Sequence, residues 1–233
     1  MLKAVVFDFD DTLVQSGETS YRSHCKTARI LGLPKPPFST FLKYWGKPWH
    51  SMIMALFPHY DVNKFIAVYS KIRKKSKYPL IPGALDAINF LHEHHIKMGI
   101  LSNKPTDQLW ERIKQSALNP EIFLFVFGEQ STKYKKPDSR VFNEVLELLR
   151  KNRIQRGESL YVGDLTVDYF AARGAAVDFC GVLTGFHSPR RFVREGLEPY
   201  RLVHSVKELP HWLFENGYLP QQKHNYPHFE HYP

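Results

Sequence analysis

Cysteine is scarce in this sequence, and long apolar runs are missing from it. Cys25 and Cys180 are the only cysteines, and two cysteines cannot make the disulfide framework typical of small secreted domains. No apolar run approaches the roughly 20 residues that a membrane span requires, and no hydrophobic signal peptide precedes the first predicted strand. We therefore expect a protein of the reducing cytoplasm with no membrane partner.

Acidic residues are fewer than basic ones. The sequence has 32 Lys and Arg against 23 Asp and Glu, a net charge of +9 and a pI near 9.4. A basic surface attracts anions such as nucleic acid, anionic lipid or phosphorylated small molecules. The densest basic run, residues 71–77, suits the carbonyl end of a helix. Because no nucleic-acid-binding motif accompanies the charge, nucleic acid is not the expected partner.

What the sequence does have is an alternation of short apolar runs with helical patterns over 233 residues. That length suffices for one large domain or for a domain with an insertion. Buried strands are predicted at residues 4–7, 97–101, 123–127, 159–162 and 178–183, and residues 201–204 are a candidate sixth strand. This alternation indicates the α/β class, with a Rossmann-like parallel sheet and helices on both faces.

A helical block interrupts the alternation. No convincing strand occurs between residues 14 and 78, where helices are predicted at 15–34, 38–44, 49–57 and 62–77. The Pro and Gly residues of 79–83 cannot continue a helix and form the predicted hinge back to the sheet. We predict a core domain of residues 1–16 and 82–219, an inserted all-helical cap of residues 17–81, and an irregular C-terminal tail of residues 220–233. In that tail the spacing of His224, His228 and His231 fits no familiar metal site.

Three acids directly follow the first predicted strand. Residues 4–7 are apolar, and Asp8, Asp10 and Asp11 come next. Like charges this close disfavour one another's ionised forms, so a divalent cation among them is the simplest reason for the cluster. The alternative is a surface turn whose acids point to water.

Polar residues also end later strands. Ser102 follows the second strand and Asp164 closes the fourth. Taken singly, Ser after a strand is more often a helix cap, and Gly-Asp is a common turn. Ligands of open parallel sheets bind at the carboxyl ends of the strands. An active site at the carboxyl ends of the strands is therefore indicated by four residues together: Asp8, Asp10, Ser102 and Asp164.

The order of these segments resembles the four motifs of the haloacid dehalogenase superfamily of phosphohydrolases. The matching segments are Asp-Phe-Asp-Asp-Thr-Leu-Val at 8–14, Leu-Ser-Asn at 101–103, Lys-Lys-Pro-Asp at 135–138 and Gly-Asp-Leu-Thr-Val-Asp at 163–168. The resemblance spans about residues 1–186. It is similar to the branch, typified by phosphoglycolate phosphatase, that inserts a helical cap after the first motif. Asp11, Ser139, Leu165 and Ala176 depart from residues frequent in that family.

The resemblance implies catalytic roles. Asp8 would be the nucleophile, and Asp10 the general acid and base. Ser102 would donate a hydrogen bond to the transferring phosphoryl group. Lys136 would neutralise that group, with Lys135 or Lys133 as the fallback.

The resemblance also implies a magnesium site. Asp8, the backbone carbonyl of Asp10, and Asp164 would bind Mg2+, and Asp168 would support the metal or the lysine. Oxygen ligands of this kind favour magnesium over zinc.

Substrate-binding residues are expected near these motifs and in the cap. Within the motifs the candidates are Thr12 and Asn103. In the cap they are Arg22, which shares a helix face with Lys26 and Arg29, and Lys47 in the turn of residues 46–49. A solvated basic face and a packed aromatic turn are the alternatives for the cap residues.

The predicted function is magnesium-dependent hydrolysis of a phosphomonoester, a small phosphorylated metabolite, through an aspartyl phosphate, by a monomer or homodimer. One alternative is a phosphosugar mutase of the same family, which returns the phosphoryl group to the sugar. Another is a basic nucleic-acid-binding protein that keeps the fold as a scaffold. An inactive sensor of phosphorylated ligands is disfavoured because every expected catalytic residue is present.

Overall fold

A six-stranded parallel sheet forms the centre of the molecule. The computed structural model describes residues 1–220, so the predicted tail from residue 221 onward, with its three histidines, lies outside the described residues. The strands are β1 Ala4–Phe7, β2 Lys97–Leu101, β3 Phe123–Phe127, β4 Ser159–Gly163, β5 Asp178–Val182 and β6 Leu202–Val203. Their order is β3-β2-β1-β4-β5-β6, and every pairing is parallel. The predicted α/β class with a parallel sheet is confirmed.

The register of the sheet brings the motif residues together at the carboxyl ends of the central strands. Strand β1 lies between β2 and β4, and Phe7 at its end pairs with both Ile100 and Val162. The backbone N–H of Asp8 donates to the Val162 carbonyl at 2.8 Å, which continues this pairing beyond the strand. The chain segments that follow the three central strands therefore leave the sheet side by side.

Helices cover both faces of the sheet. They are α5 Ala84–Glu93, α6 Thr106–Gln115, α7 Asn143–Lys151, α8 Thr166–Gly174, α9 Pro189–Arg194 and α10 Leu209–Glu215. Successive residues of a strand point to opposite faces. Accordingly, Val5 and Phe7 pack in the cluster that contains Ile88 of α5, whereas Ala4 and Val6 pack in the cluster that contains α7 and α8.

Four further helices lie between β1 and α5 in the sequence, and we refer to them as the helical region. They are α1 Gly17–Ile30, α2 Phe38–Tyr44, α3 Trp49–Leu56 and α4 Val62–Arg73. They bury a hydrophobic cluster of their own, rich in aromatic rings such as Phe41 and Phe65. The chain leaves and returns side by side, since the N–H of Gln15 donates to the Pro79 carbonyl at 2.8 Å. The predicted domain boundaries at 16/17 and 81/82 stay a prediction.

The structure also differs from the sequence-based helix predictions. Helices α9 and α10 were not predicted. Helix α4 ends at Arg73 rather than residue 77, and the Arg73 guanidinium pairs with Glu111 of α6. The helix expected from Pro137 onward begins only at Asn143, because the Asp138 side chain accepts the Arg140 N–H and caps a short 3-10 turn first. Among residues 1–220, no helix has the length and apolar character needed to cross a membrane.

Candidate active site

A buried lysine lies at the carboxyl ends of the central strands, which we call the strand-end edge. The Lys136 ammonium is 2.6 Å from Asp8 Oδ1, 2.6 Å from Asp168 Oδ1 and 2.8 Å from the Tyr161 hydroxyl. All of these side chains are buried. Burial alone would lower the pKa of Lys136, but the two carboxylates outweigh it and raise the pKa. The lysine is therefore a fixed positive charge beside Asp8.

Asp8 and Asp164 carry more negative charge than the lysine can balance. Burial, opposed by Lys136, raises the pKa of Asp8 to about 7. Burial, together with repulsion from Asp8 and Asp168, raises the pKa of Asp164 well above its usual range. A cation close to these carboxyls would favour their ionised forms.

The acidic residues fit such a cation. Asp8, Asp164 and Asp168 can each offer one carboxylate oxygen, and these oxygens lie within 4.8 Å of one another. Within residues 1–220, Asp164 Oδ2 and Asp10 Oδ1 are buried without a hydrogen-bond partner. Buried polar atoms without a partner are costly, and unpaired carboxylate oxygens are the ligands that magnesium prefers. A Cβ at Gly185 would lie only 1.9 Å from Asp164 Oδ2, so glycine at this position leaves room for the carboxylate.

Asp168 is already engaged by protein groups. Its Oδ1 accepts from Lys136 and, at 3.2 Å, from the Tyr161 hydroxyl. Its Oδ2 accepts the Leu165 N–H at 3.0 Å. Of the two roles that the sequence left open, these contacts favour holding the lysine over binding the metal.

The turn after β1 also explains one departure from the family pattern. Asp11 has a φ of 55°, a left-handed conformation that glycine adopts freely and Asp tolerates. Its Oδ1 accepts the N–H groups of Ser16 and Gly17, and its Oδ2 accepts the Trp45 indole N–H at 3.1 Å. Burial raises the pKa of Asp11 to about 6. Asp11 thus connects the turn to the start of α1 and to the residue after α2.

The remaining motif residues take different positions. Ser102 lines the pocket beside Asp8, and its Oγ accepts the Lys104 N–H at 3.2 Å. Thr12 donates from its hydroxyl to Asp164 Oδ1 at 3.3 Å. The Asn103 amide is occupied by backbone groups, because its Nδ2 donates to the carbonyls of Gly46 and Lys136 and its Oδ1 accepts the Lys136 N–H. The Asn103 side chain is thus committed to the protein rather than open to a substrate.

The structure does not bring the predicted basic residues of α1 to the site. Arg22 is exposed, pairs with Glu18 at 3.0 Å and does not line the pocket, and Lys26 and Arg29 are exposed as well. Lys47 does line the pocket, but it is exposed and its ammonium lies 4.8 Å from the Tyr44 ring centroid. Of the fallback lysines, Lys133 is exposed, and the Lys135 ammonium bonds the Thr132 carbonyl.

One residue of the site was missed from the sequence. Lys104 is held 2.9 Å from Asp10 Oδ2, with both side chains mostly buried. Its place directly after the second motif was the available signal, but the sequence alone does not show which way the side chain turns. This pair holds Asp10 at the pocket.

The helical region lines the other side of the pocket. The pocket lining from this region includes Ser20, His24, Trp45, Trp49, Met52 and Tyr69, opposite Asp8, Asp10, Ser102, Lys104 and Lys136. A small molecule bound there would contact the strand ends and the helices together.

Fold and site together define an α/β protein in which buried carboxylates and a lysine gather at the carboxyl ends of parallel strands. Residues 5–182 match the model of the haloacid dehalogenase-like hydrolases, and the chain belongs to this family. The family resemblance predicted from the four motifs, including its phosphoglycolate-phosphatase-like branch, is confirmed, and the predicted hydrolase class is confirmed with it.

The sequence identity to individual relatives is low. The chain is 24% identical to a phosphoglycolate phosphatase of Rhodobacter capsulatus, over 90% of this chain and 96% of that protein. It is 21% identical to a phosphorylated carbohydrates phosphatase of Thermotoga maritima, over 89% of this chain and 100% of that protein. The structure of CbbY from Rhodobacter sphaeroides in complex with xylulose-1,5-bisphosphate superposes with a TM-score of 0.73 at 19% identity, covering 90% of this chain and 96% of that one. This structural likeness shows the shared fold.

Proposed function

We propose that the protein is a magnesium-dependent phosphatase that hydrolyses a small phosphomonoester through an aspartyl phosphate. The observation that carries the proposal is the Lys136 ammonium held 2.6 Å from Asp8, beside an Asp164 oxygen that has no partner within residues 1–220. The phosphatase relatives named above support the same reaction class.

Asp8 is the proposed nucleophile. Its carboxylate oxygen attacks the phosphorus, the bond from phosphorus to the leaving oxygen breaks, and an aspartyl phosphate forms. Attack by one anion on another is opposed by repulsion. The buried Lys136 and the Ser102 hydroxyl, both lining the pocket, reduce this repulsion by binding the phosphoryl oxygens.

Asp10 is the proposed acid and base. It lines the same pocket two residues from Asp8 in the sequence, and the Lys104 ammonium pairs with its Oδ2. In its protonated form Asp10 gives a proton to the departing alkoxide. In the second step it takes a proton from the water that attacks the aspartyl phosphate, which releases inorganic phosphate and restores Asp8.

The metal would be held by Asp8, by the Asp10 carbonyl and by Asp164. Bound magnesium would supply positive charge to the attacking carboxylate and the phosphoryl group. Thr12 keeps Asp164 in place through Oδ1 and leaves Oδ2 for this purpose. Asp168 orients Lys136.

The helical region, residues 17–81, is the proposed cap. It excludes water from the pocket and contacts the leaving group. Two hydrogen bonds support this arrangement: Trp45 donates to Asp11 at 3.1 Å, and Asn103 donates to the Gly46 carbonyl at 2.9 Å. Both connect the turn after α2 to the catalytic side.

The test is an assay of released phosphate over a panel of phosphorylated metabolites, with magnesium and with a chelator. The proposal requires magnesium-dependent release that Asp8→Asn abolishes. Transfer of the phosphoryl group to a sugar without free phosphate would identify a mutase instead. Equal turnover by Asp8→Asn would contradict the proposed nucleophile.

A further inference from the structure

The loop that follows β5, residues 183–188, has no role in the proposed chemistry. The structure describes all of these residues, and none of them lines the pocket. Residues 184–187 nevertheless contact, one after another, the turn after β1, the acidic cluster, the helical region and the start of α8. We call this segment the β5 loop. It is a physical connection between the helical region and the strand-end edge.

The first part of the β5 loop lies against the acids of the site. The Thr184 hydroxyl donates to the Asp11 carbonyl at 2.5 Å. A Cβ at Gly185 would lie 1.9 Å from Oδ2 of Asp164 and 2.7 Å from its Cγ, so the backbone of residue 185 packs directly on this carboxyl group. Because Thr12 donates to the other oxygen, Oδ1, at 3.3 Å, Asp164 is held from two sides.

The next residue of the β5 loop, Phe186, packs against the helical region. Its ring joins the aromatic cluster of that region. It meets the rings of Phe38 and Trp45 edge to face, at centroid distances of 5.7 Å and 6.3 Å, the arrangement that aromatic pairs favour. A Cβ at Gly17, the first residue of α1, would lie 2.3 Å from the ring. The ring therefore rests directly on the backbone at the start of α1.

The β5 loop is held on both sides of this pair of residues. Before it, Thr184 bonds the turn after β1. After it, His187 accepts the Thr166 N–H through Nδ1 at 3.0 Å, at the start of α8. Gly185 and Phe186 lie between these two attachments, so the loop has little slack to absorb a movement of the ring. A shift of Phe186 is therefore passed to Gly185.

We propose that Phe186 is a positioning residue for the magnesium site. Its ring, packed on α1 and α2, holds Gly185 against Asp164, so contacts made in the helical region set the orientation of a metal ligand that they do not touch. The inference rests on the proposed magnesium site and adds a residue that tunes its affinity. Replacing groups that orient a metal ligand commonly weakens metal affinity by about 10–100-fold.

Two substitutions at Phe186 separate its packing from its identity. Phe186→Ala removes the ring and frees Gly185, so the dissociation constant of Mg2+ should rise about tenfold. Phe186→Met refills the space with a flexible apolar side chain that packs well against aromatic rings, so its dissociation constant should lie within about threefold of wild type. Calorimetric titration of the full chain with MgCl2 measures the affinities, and circular dichroism checks that each variant is folded.

A third substitution reaches the β5 loop from the helical region. Phe38→Ala removes one of the rings that pack on Phe186, and because Phe38 is 39% exposed this variant should fold. The dissociation constant of Mg2+ should rise about fourfold. Its matched control is Met54→Ala, at another exposed apolar residue of the helical region, which should stay within about 1.5-fold of wild type.

Phe57→Leu is the control for Phe186→Ala. It loosens the same aromatic cluster through the Phe57–Phe65 pair, whose ring centroids are 4.6 Å apart, and it should keep the wild-type magnesium affinity. Activity supplies a second readout. In Phe186→Ala the magnesium concentration for half-maximal phosphate release should rise about tenfold. Because Phe186 does not line the pocket, kcat at saturating magnesium should change less than about twofold.

Equal magnesium affinity in the wild type and in Phe186→Ala would overturn the positioning role and leave the proposed phosphatase function standing. An equal loss of affinity in Phe57→Leu would overturn it as well, since general loosening of the helical region would then suffice. If Phe186→Ala does not fold, the comparison of Phe38→Ala with Met54→Ala decides, and equal affinities there overturn the role. If the wild type itself binds no magnesium, the proposed metal site fails and this inference fails with it.

Discussion

The strand-end edge and the helical region form the two walls of one pocket, and they are built differently. At the strand ends, buried charged groups are bonded to one another across long stretches of sequence, as Lys136 is to Asp8 and Asp168. In the helical region, a hydrophobic cluster rich in aromatic rings forms the wall, and one buried acceptor, His24 Nε2, has no donor within residues 1–220. The strand-end wall is thus held together by charge, whereas the helical wall is held together by aromatic packing.

This difference implies that substitutions in the two walls affect activity and stability differently. Substitutions at the strand ends remove chemistry or leave buried charges unpaired, and they should affect every substrate. Substitutions in the helical region should act on particular substrates or on stability at particular pH values.

The largest effect is expected for Asp8→Asn. The amide cannot attack phosphorus, so kcat for any phosphomonoester should fall by about 10⁴-fold or more. The fold should persist, because the amide oxygen can still accept from Lys136. Steady-state kinetics with circular dichroism measure both quantities. Asp138→Asn, at a partly exposed Asp paired with Arg140, is the matched control and should keep full activity.

Lys136→Met should be strongly destabilising. It leaves the buried carboxyls of Asp8 and Asp168 without their cation, and breaking a buried pair costs about 3–5 kcal/mol. Urea unfolding at pH 7 measures the loss. Lys133→Met changes an exposed lysine in the same loop and should lie within about 0.5 kcal/mol of wild type. Equal stabilities of the two variants would show that the strand-end charges do not depend on one another.

Magnesium should stabilise the folded protein through the acidic cluster. At a concentration 100 times its dissociation constant, a ligand adds about 2.7 kcal/mol, which corresponds to roughly 5–10 °C in Tm at this chain length. Asp164→Asn should remove most of this shift, because it neutralises a carboxylate whose Oδ2 has no partner within residues 1–220. Asp86→Asn, at an exposed acid of α5, should keep it. A shift of the same size in both variants would place the metal elsewhere.

The sequence predicts the strand-end wall better than the helical wall. Short apolar runs and the acids after them can be recognised from the local sequence. Parallel pairing then brings the carboxyl ends of the strands together, whatever segments connect them. This is why Asp8, Asp10, Ser102, Lys136 and Asp164 could be selected before any contact was known.

The direction of side chains could not be predicted in the same way. Arg22 and His24 are two residues apart on α1, and only packing against other helices decides that Arg22 is exposed and His24 is buried. The bonding of Asn103 to Gly46 joins residues 57 positions apart and has no local signal. For the same reason the Lys104–Asp10 pair has no signal in the sequence, which also left open whether Asp168 supports the metal or the lysine.

The smallest effect concerns the pH dependence of stability through His24. Its pKa is about 4 in the folded protein and 6.5 in an unfolded chain, so the unfolded state binds the proton more tightly between these values. The stability that the neutral His24 side chain contributes is present above pH 6.5 and is lost as the pH falls toward 4. One pH unit corresponds to 1.36 kcal/mol, so the wild type should lose about 2 kcal/mol between pH 7.5 and 5 through this residue.

His24→Phe isolates this contribution. The carboxyls with raised pKa values, such as Asp8 and Asp11, act in the opposite direction, because they gain stability as the pH falls. These carboxyls are present in both proteins, so their effects cancel when the two unfolding free energies are compared. The same holds for His187, because burial lowers its pKa in both proteins. Urea unfolding at pH 7.5 and pH 5 should therefore show a steeper loss in the wild type than in the variant, by about 2 kcal/mol. Parallel losses would mean that His24 can take up a proton in place, and the helical wall would then carry charge as the strand-end wall does.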